Sequence, residues 1–240
     1  MNKISSIILG LLLTITTVQN SFAQANPQTY LNDIKTELTK AWPKNRTINL
    51  VFHGHSVPTG YFRTPEVHKL EAYPSLLLER LKAVYPNAVI NIITTSIGGE
   101  NSVQGEKRFK RDVLTHKPDV LFIDYALNDR AVGLEKSREA MGKMIRKALK
   151  RKIKVILMTP STDLTVDILK PDNVLAQFSK QLIGLAEQYH IGLVDSYGAF
   201  YDLAKSGKNL KDYMAQSNHP NKKGHQVIAD KIMDWFKLIE

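Results

Sequence analysis

Five short blocks of almost unbroken apolar residues punctuate the chain, at 47–52, 88–93, 120–125, 154–158 and 191–194. Val120-Leu121-Phe122-Ile123 in the third is representative. Between the blocks, apolar positions recur three and four residues apart. They include Leu76, Leu77, Leu81 and Val84 within 72–85, and Leu134, Met141, Met144, Ile145 and Ala148 within 134–151. The same spacing marks 174–189 and a closing segment carrying Val227, Ile228, Ile232, Trp235 and Phe236. Short continuous runs predict strands covered on both faces, and the longer period predicts amphipathic helices. Their alternation predicts an α/β chain: a three-layer α/β/α sandwich around a five-stranded, mainly parallel sheet.

A sheet of this kind binds ligands beyond the carboxyl ends of its strands. Polar residues collect there. His53 to Ser56 follow the first block, 94–101 the second, Asn128 to Arg130 the third, 159–163 the fourth, and Asp195-Ser196 the fifth. One rim is thereby expected to hold the chemistry.

Composition narrows the picture. The chain has 240 residues and no cysteine, which excludes a disulfide framework, a thiol nucleophile and cysteine metal sites. Lys3, the apolar run at 7–18 and the small residues Ala23 and Ala25 read as a secretory signal peptide over 1–25, leaving one domain over 26–240. The product is expected to be secreted or periplasmic, with no stable membrane span once the leader is removed. Net charge is +10 and falls to +9 when Lys3 leaves with the leader. A solvated basic face is the plain reading of that excess, and attraction to an anionic surface or a polyanionic glycan is the sharper one. Nucleic acid is not an expected partner, because no binding motif accompanies the charge. The histidines are scattered, so neither a metal site nor a cofactor is expected.

The chemistry centres on two distant segments. Val51-Phe52-His53-Gly54-His55-Ser56 is a strand ending in Gly-x-Ser, and Ser217-Asn218-His219-Pro220-Asn221 precedes the closing helix. A serine hydroxyl is a weak nucleophile until a base takes its proton, and a late histidine can be that base. The surroundings of Ser56 are not the Gly-x-Ser-x-Gly elbow of α/β-hydrolases, since Val57-Pro58 follows it.

Ser56, Ile97-Gly98-Gly99-Glu100-Asn101, Ala126-Leu127-Asn128-Asp129 and Asn218-His219-Pro220-Asn221 stand in the order of the SGNH (GDSL-type) hydrolases, which the chain resembles over nearly its whole mature length. The resemblance implies a flavodoxin-like fold, with Ser56 as nucleophile and His219 as base. It also implies an oxyanion hole made by the Gly99 amide and the Asn128 side chain, to which the Ser56 amide is a plausible addition. Such donors are worth about 3 to 4 kcal/mol each when they are aimed at developing charge.

Three positions depart from the family pattern. His55 stands for the Asp of Gly-Asp-Ser, Ala126 for the Gly of Gly-x-Asn-Asp, and Gln216 for the Asp that orients the base. Losing that Asp from a serine-protease triad costs about 10⁴ in turnover. Another orienter is therefore required: a backbone carbonyl, Gln216 itself, or a carboxylate such as Asp195 or Asp212.

Tyr61, Arg63, Glu100, Arg130 and Asp163 are candidate substrate contacts on the rim. His53 and His225 are read as packing residues. The expected activity is a serine esterase that removes short acyl groups, acetyl first, from an acylated carbohydrate. The rivals are a lipid-directed lysophospholipase or thioesterase, and a glycan-binding relative without activity. The post-strand loops look too polar for a lipid groove.

Overall fold

The computed structural model describes residues 23–238. The apolar run read as a leader lies outside them, as do positions 239–240. In chain order the elements are α1 (Asn32–Thr39), β1 (Thr47–Gly54), α2 (Ser56–Thr59), α3 (Tyr73–Val84), β2 (Val89–Thr94), α4 (Ser102–Asp112), β3 (Val120–Asp124), α5 (Ala126–Asp129) and α6 (Leu134–Leu149). They continue with β4 (Lys154–Met158), α7 (Val174–Tyr189), β5 (Gly192–Val194), α8 (Ser196–Lys205), β6 (Met214–Gln216), β7 (His219–Pro220) and α9 (Lys222–Met233).

The five predicted strands form one parallel sheet in the order β2-β1-β3-β4-β5. That order is flavodoxin-like, and its switch point lies between β1 and β3. Successive residues of these strands point to opposite faces. Leu50, Phe52 and Phe122 join a core with helices α1, α3, α8 and α9, whereas Val51, Leu121 and Ile123 join a second core with α4, α6 and α7. Phe52 and Phe122 stack with ring centroids 4.4 Å apart, which fixes the central strand pair.

Where β1 ends, the two central backbones come very close. A side chain on Gly54 would place its Cβ 2.3 Å from the Asp124 carbonyl oxygen, so only glycine fits there.

Helices α1, α4 and α8 were not anticipated. Helix α4 is so rich in charge that Phe109 is its one large buried residue, and no apolar stripe is visible in the sequence. Its readable mark is the capping box, in which Asn101 accepts from the Gln104 amide while the Gln104 side chain accepts from the Asn101 amide. Helix α8 opens on Asp195, whose carboxylate caps Gly198, and that polar pair reads equally well as a loop. The closing helix stops at Met233, and Trp235 and Phe236 bury themselves in the turn beyond it. No helix among the described residues is long and apolar enough to cross a membrane.

Candidate active site

Ser56 begins the short helix α2 directly after the Gly54 turn, and it is buried. His55 precedes it as N-cap: its Nδ1 accepts the Val57 amide at 3.2 Å, which leaves the proton of the neutral ring on Nε2. That Nε2 faces Asp124 Oδ1 at 3.4 Å, while Asp124 Oδ2 accepts the Tyr73 hydroxyl at 3.0 Å. Burial and the neighbouring Asp124 carboxylate push the Tyr73 phenol well above its ordinary pKa, so it stays a donor. His55 thus caps the serine turn and faces the acid that ends β3, although its Nε2 makes no hydrogen bond among the described residues.

His219 arrives from the other side, on the two-stranded β6–β7 hairpin. Its Nε2 lies 3.0 Å from Ser56 Oγ, and its Nδ1 lies 3.3 Å from the Phe62 carbonyl oxygen. A backbone carbonyl only accepts, so Nδ1 carries the proton and Nε2 presents its lone pair to the serine. Desolvation holds the His219 pKa below the usual imidazole value, although the Phe62 carbonyl works in the opposite direction. Both effects considered, the lowered value favours the neutral ring.

The other proposed orienters are engaged elsewhere. Gln216 Oε1 accepts the Thr64 amide at 3.1 Å, and Asp195 caps α8 and accepts the Thr159 hydroxyl at 2.9 Å. Neither these nor Asp212 is bonded to His219 among the described residues. The Arg63-Thr64 segment is laced to the hairpin, with Arg63 Nε donating to the Ala215 carbonyl at 3.3 Å. Gln216 therefore holds the loop whose carbonyl holds the base.

A cavity of about 350 Å³ opens above the pair, lined by Ser56, Tyr61, Thr64, Gly98, Gly99, Asn128, Asn218 and His219. Gly99 has φ of +77°, a conformation that favours glycine, and its amide donates to no backbone acceptor among the described residues. Asn128 Nδ2 donates to the Glu100 carbonyl at 3.0 Å. That bond assigns the amide nitrogen and leaves its second N–H for the cavity. Ser56, Gly99, Asn128 and His219 are thus brought to one place.

The expected substrate contacts divide. Tyr61 lines the cavity, its ring centroid 5.8 Å from that of His219. Arg63 lies over the Phe62 ring and serves the loop rather than the cavity. Glu100 is buried and turned away: Arg108 Nε donates to it at 2.6 Å and the Tyr125 hydroxyl at 2.7 Å, so its carboxylate has no free face for substrate. Its backbone carbonyl is the part that serves the site. Arg130 and Asp163 satisfy each other at 2.7 Å, and neither lines the cavity.

His53 is packed, as expected. Its ring nitrogens face the Thr95 hydroxyl and the Gly105 carbonyl, and burial, aided by Arg108, lowers its pKa to about 3. His225 accepts the Tyr73 amide, and burial likewise takes it to about 3. No group of three or more potential metal ligands occurs among the described residues.

Thr64, Asn218, Tyr73 and Asp124 were not singled out beforehand. Asn218 stands inside the Asn-His-Pro-Asn block, and Asp124 is an acid closing an otherwise apolar strand. Those were the available signals; Thr64 and Tyr73 offered none. The rim also differs from expectation. Ile97 and Leu164 are 50% and 38% exposed, and Leu164 bonds through its amide to Ser217. These exposed apolar residues adjoin, in sequence or through a backbone bond, the segments that line the cavity.

The chain resembles known proteins in sequence and in fold. An uncharacterized lipoprotein of Bacillus subtilis (strain 168), YqeF, is 27% identical over 183 residues, covering 60% of this chain and 73% of its own. Among solved structures, the fold matches a two-domain esterase (CEX) active on acetylated mannans with TM-score 0.71 and 21% identity. That match covers 90% of this chain but only 54% of the esterase, so the chain spans about half of that protein. Axe2, an acetylxylan esterase from Geobacillus stearothermophilus, matches with TM-score 0.69 and 21% identity over 80% of this chain and 95% of its own. The GDSL-like Lipase/Acylhydrolase family description matches residues 52–227, from the end of β1 into α9 and therefore across every segment that reaches the cavity. The chain belongs to that family and is a serine ester hydrolase.

Proposed function

We propose that this protein is an exported esterase that removes short acyl groups, acetyl first, from carbohydrate. The observation that carries this reading is the 3.0 Å contact between His219 Nε2 and Ser56 Oγ in a small cavity that both residues line.

The geometry supports the following roles. Ser56 Oγ attacks the ester carbonyl carbon while His219 Nε2 takes the hydroxyl proton. The carbonyl oxygen becomes an oxyanion, met by the Gly99 amide, the Asn128 side-chain N–H and the Ser56 amide. As the intermediate collapses, the C–O bond to the sugar breaks and His219 returns its proton to the leaving alcohol. Water then attacks the acyl-serine with His219 again as base, releasing the carboxylic acid and restoring Ser56. The Phe62 carbonyl holds the ring in the tautomer each step needs, in place of the missing aspartate.

Cavity size supports a small acyl group, and Tyr61 offers a ring face to a sugar. The related folds active on acetylated mannans and acetylxylan support the same substrate class. The exposed Ile97 and Leu164 favour one second reading, a longer acyl chain lying across the rim.

Turnover of p-nitrophenyl acetate and octanoate, followed by acetylated xylo- and manno-oligosaccharides, tests the reading. Acetate preference with release of acetate from an oligosaccharide is the expected result. Octanoate preference with no oligosaccharide turnover transfers the assignment to lipids. If neither ester is turned over, the protein is a binder.

A further inference from the structure

The basic excess is concentrated at one end of the molecule. Lys107 and Lys110 lie toward the end of α4, and Lys150, Arg151 and Lys152 at and just beyond the end of α6. The two helices are joined near this end by the ion pair between Lys147 and Glu106. Lys117 and Lys152 stand just before β3 and β4, which pair through Val120 and Lys154. This is the edge where the strands begin, opposite the rim that holds Ser56.

Most acids at that edge are already taken, Glu187 near the end of α7 excepted. Asp112 is paired with Arg108 and Arg111, Asp119 with Arg46, Asp33 with Lys154, and Glu106 with Lys147. Lys107, Lys110, Lys117, Lys150, Arg151 and Lys152 are exposed and form no ion pair among the described residues. Cations at helix ends complement the helix dipole. Lys117 and Lys152, which sit between elements, have no such role.

The Ala25 amide donates to the Ile191 carbonyl at 3.1 Å, and His190 Nδ1 lies 3.1 Å from the Ala23 carbonyl oxygen. Ile191 immediately precedes β5, the neighbour of β4. Ala23 and Ala25, the small residues at which the leader is expected to be cut, therefore lie at the same edge as these cations. The cavity lies the length of β1 away, 8 residues or roughly 25 Å. Cations so placed do not reach a polymer held at Ser56.

We infer that the strand-start edge is a docking surface for an anionic phospholipid bilayer, which it meets with the cavity facing away. A planar array of phosphates suits cations spread over the ends of several elements. Each Lys or Arg at such a surface strengthens attachment about five-fold. The cations then orient the enzyme instead of recognising its substrate.

Co-sedimentation of the protein with phosphatidylcholine vesicles, with and without phosphatidylglycerol, tests this at two salt concentrations. Binding is expected only with phosphatidylglycerol and is weakened by salt. The double variant Lys110→Glu/Lys150→Glu is expected to bind about thirty-fold more weakly. Lys222→Glu/Lys223→Glu makes the same net change at the cavity end and is expected to bind nearly as the parent does. Thermal melts and p-nitrophenyl acetate turnover confirm that each variant is folded. Equal loss in both variants means only net charge is sensed and overturns the inference. So does the absence of a phosphatidylglycerol preference, or capture by sulfated dextran without vesicle binding.

Discussion

Ser56 and His219 meet at 3.0 Å, yet they are held by different kinds of structure. The serine turn is part of the core: Gly54 touches the backbone of β3, and the buried His55, Asp124 and Tyr73 form a connected set beneath it. The histidine hangs on a small hairpin fastened to the 61–66 loop by the Arg63–Ala215 and Thr64–Gln216 hydrogen bonds, both exposed to solvent. The position of Ser56 is therefore tied to the core of the fold, whereas that of His219 is a more local matter. Changes to the buried groups beneath the serine, His55, Asp124 and Tyr73, should alter folding and turnover together, and changes on the histidine side turnover alone.

The largest effect cuts the comparison at its centre. Ser56→Ala should lower p-nitrophenyl acetate turnover by about 10⁴ to 10⁶ while leaving the melting temperature close to that of the parent. Asn128→Ala should cost about 10² to 10³ in kcat by removing one oxyanion donor. Asp124→Asn tests the buried side. It removes the charge that His55 faces and that Tyr73 donates to, and urea unfolding should show a loss of about 1 to 3 kcal/mol together with reduced turnover. Unchanged stability would break the proposed contrast. Gln216→Ala tests the exposed side. A kcat loss of about ten-fold or less, with stability changed by under about 0.5 kcal/mol, is expected.

Acid separates the two sides in another way. His219 titrates below the ordinary imidazole value, so the acid limb of kcat/KM should fall below about pH 6.5. Stability follows the buried histidines, His53 and His225, each lowered to about 3. Between these pH values the unfolded chain binds a proton at each site that the folded chain refuses. Stability therefore falls as the pH falls, by about 1.4 kcal/mol per pH unit for each histidine. Urea titrations at several pH values should show this slope, and replacing His53 with Gln should reduce it.

Much of this was legible in the sequence because the signal was periodic or local. Strands buried on both faces announce themselves as apolar blocks, and Gly54, Ser56, Gly99, Asn128 and His219 stand in short motifs. What escaped was what tertiary contact decides. The charge-rich α4 hides its single buried stripe, and Glu100 looks like a rim carboxylate until Arg108 and Tyr125 are seen to claim it. Arg130 and Asp163, 33 residues apart, likewise look like two ligands and form one ion pair. The partner of His219 lies 157 residues upstream and is a backbone oxygen, which no residue type advertises.

That last feature bears on how the site would be mapped by mutation. A carbonyl survives every side-chain replacement, so an alanine scan across the cavity would pass over Phe62 and report a base with no orienter. The same group neither gains nor loses a proton, so it leaves no inflection of its own in a pH profile. Chemical synthesis that exchanges the peptide linkage after Phe62 for an ester, and so weakens its oxygen as an acceptor, would expose the contribution that genetic substitution conceals.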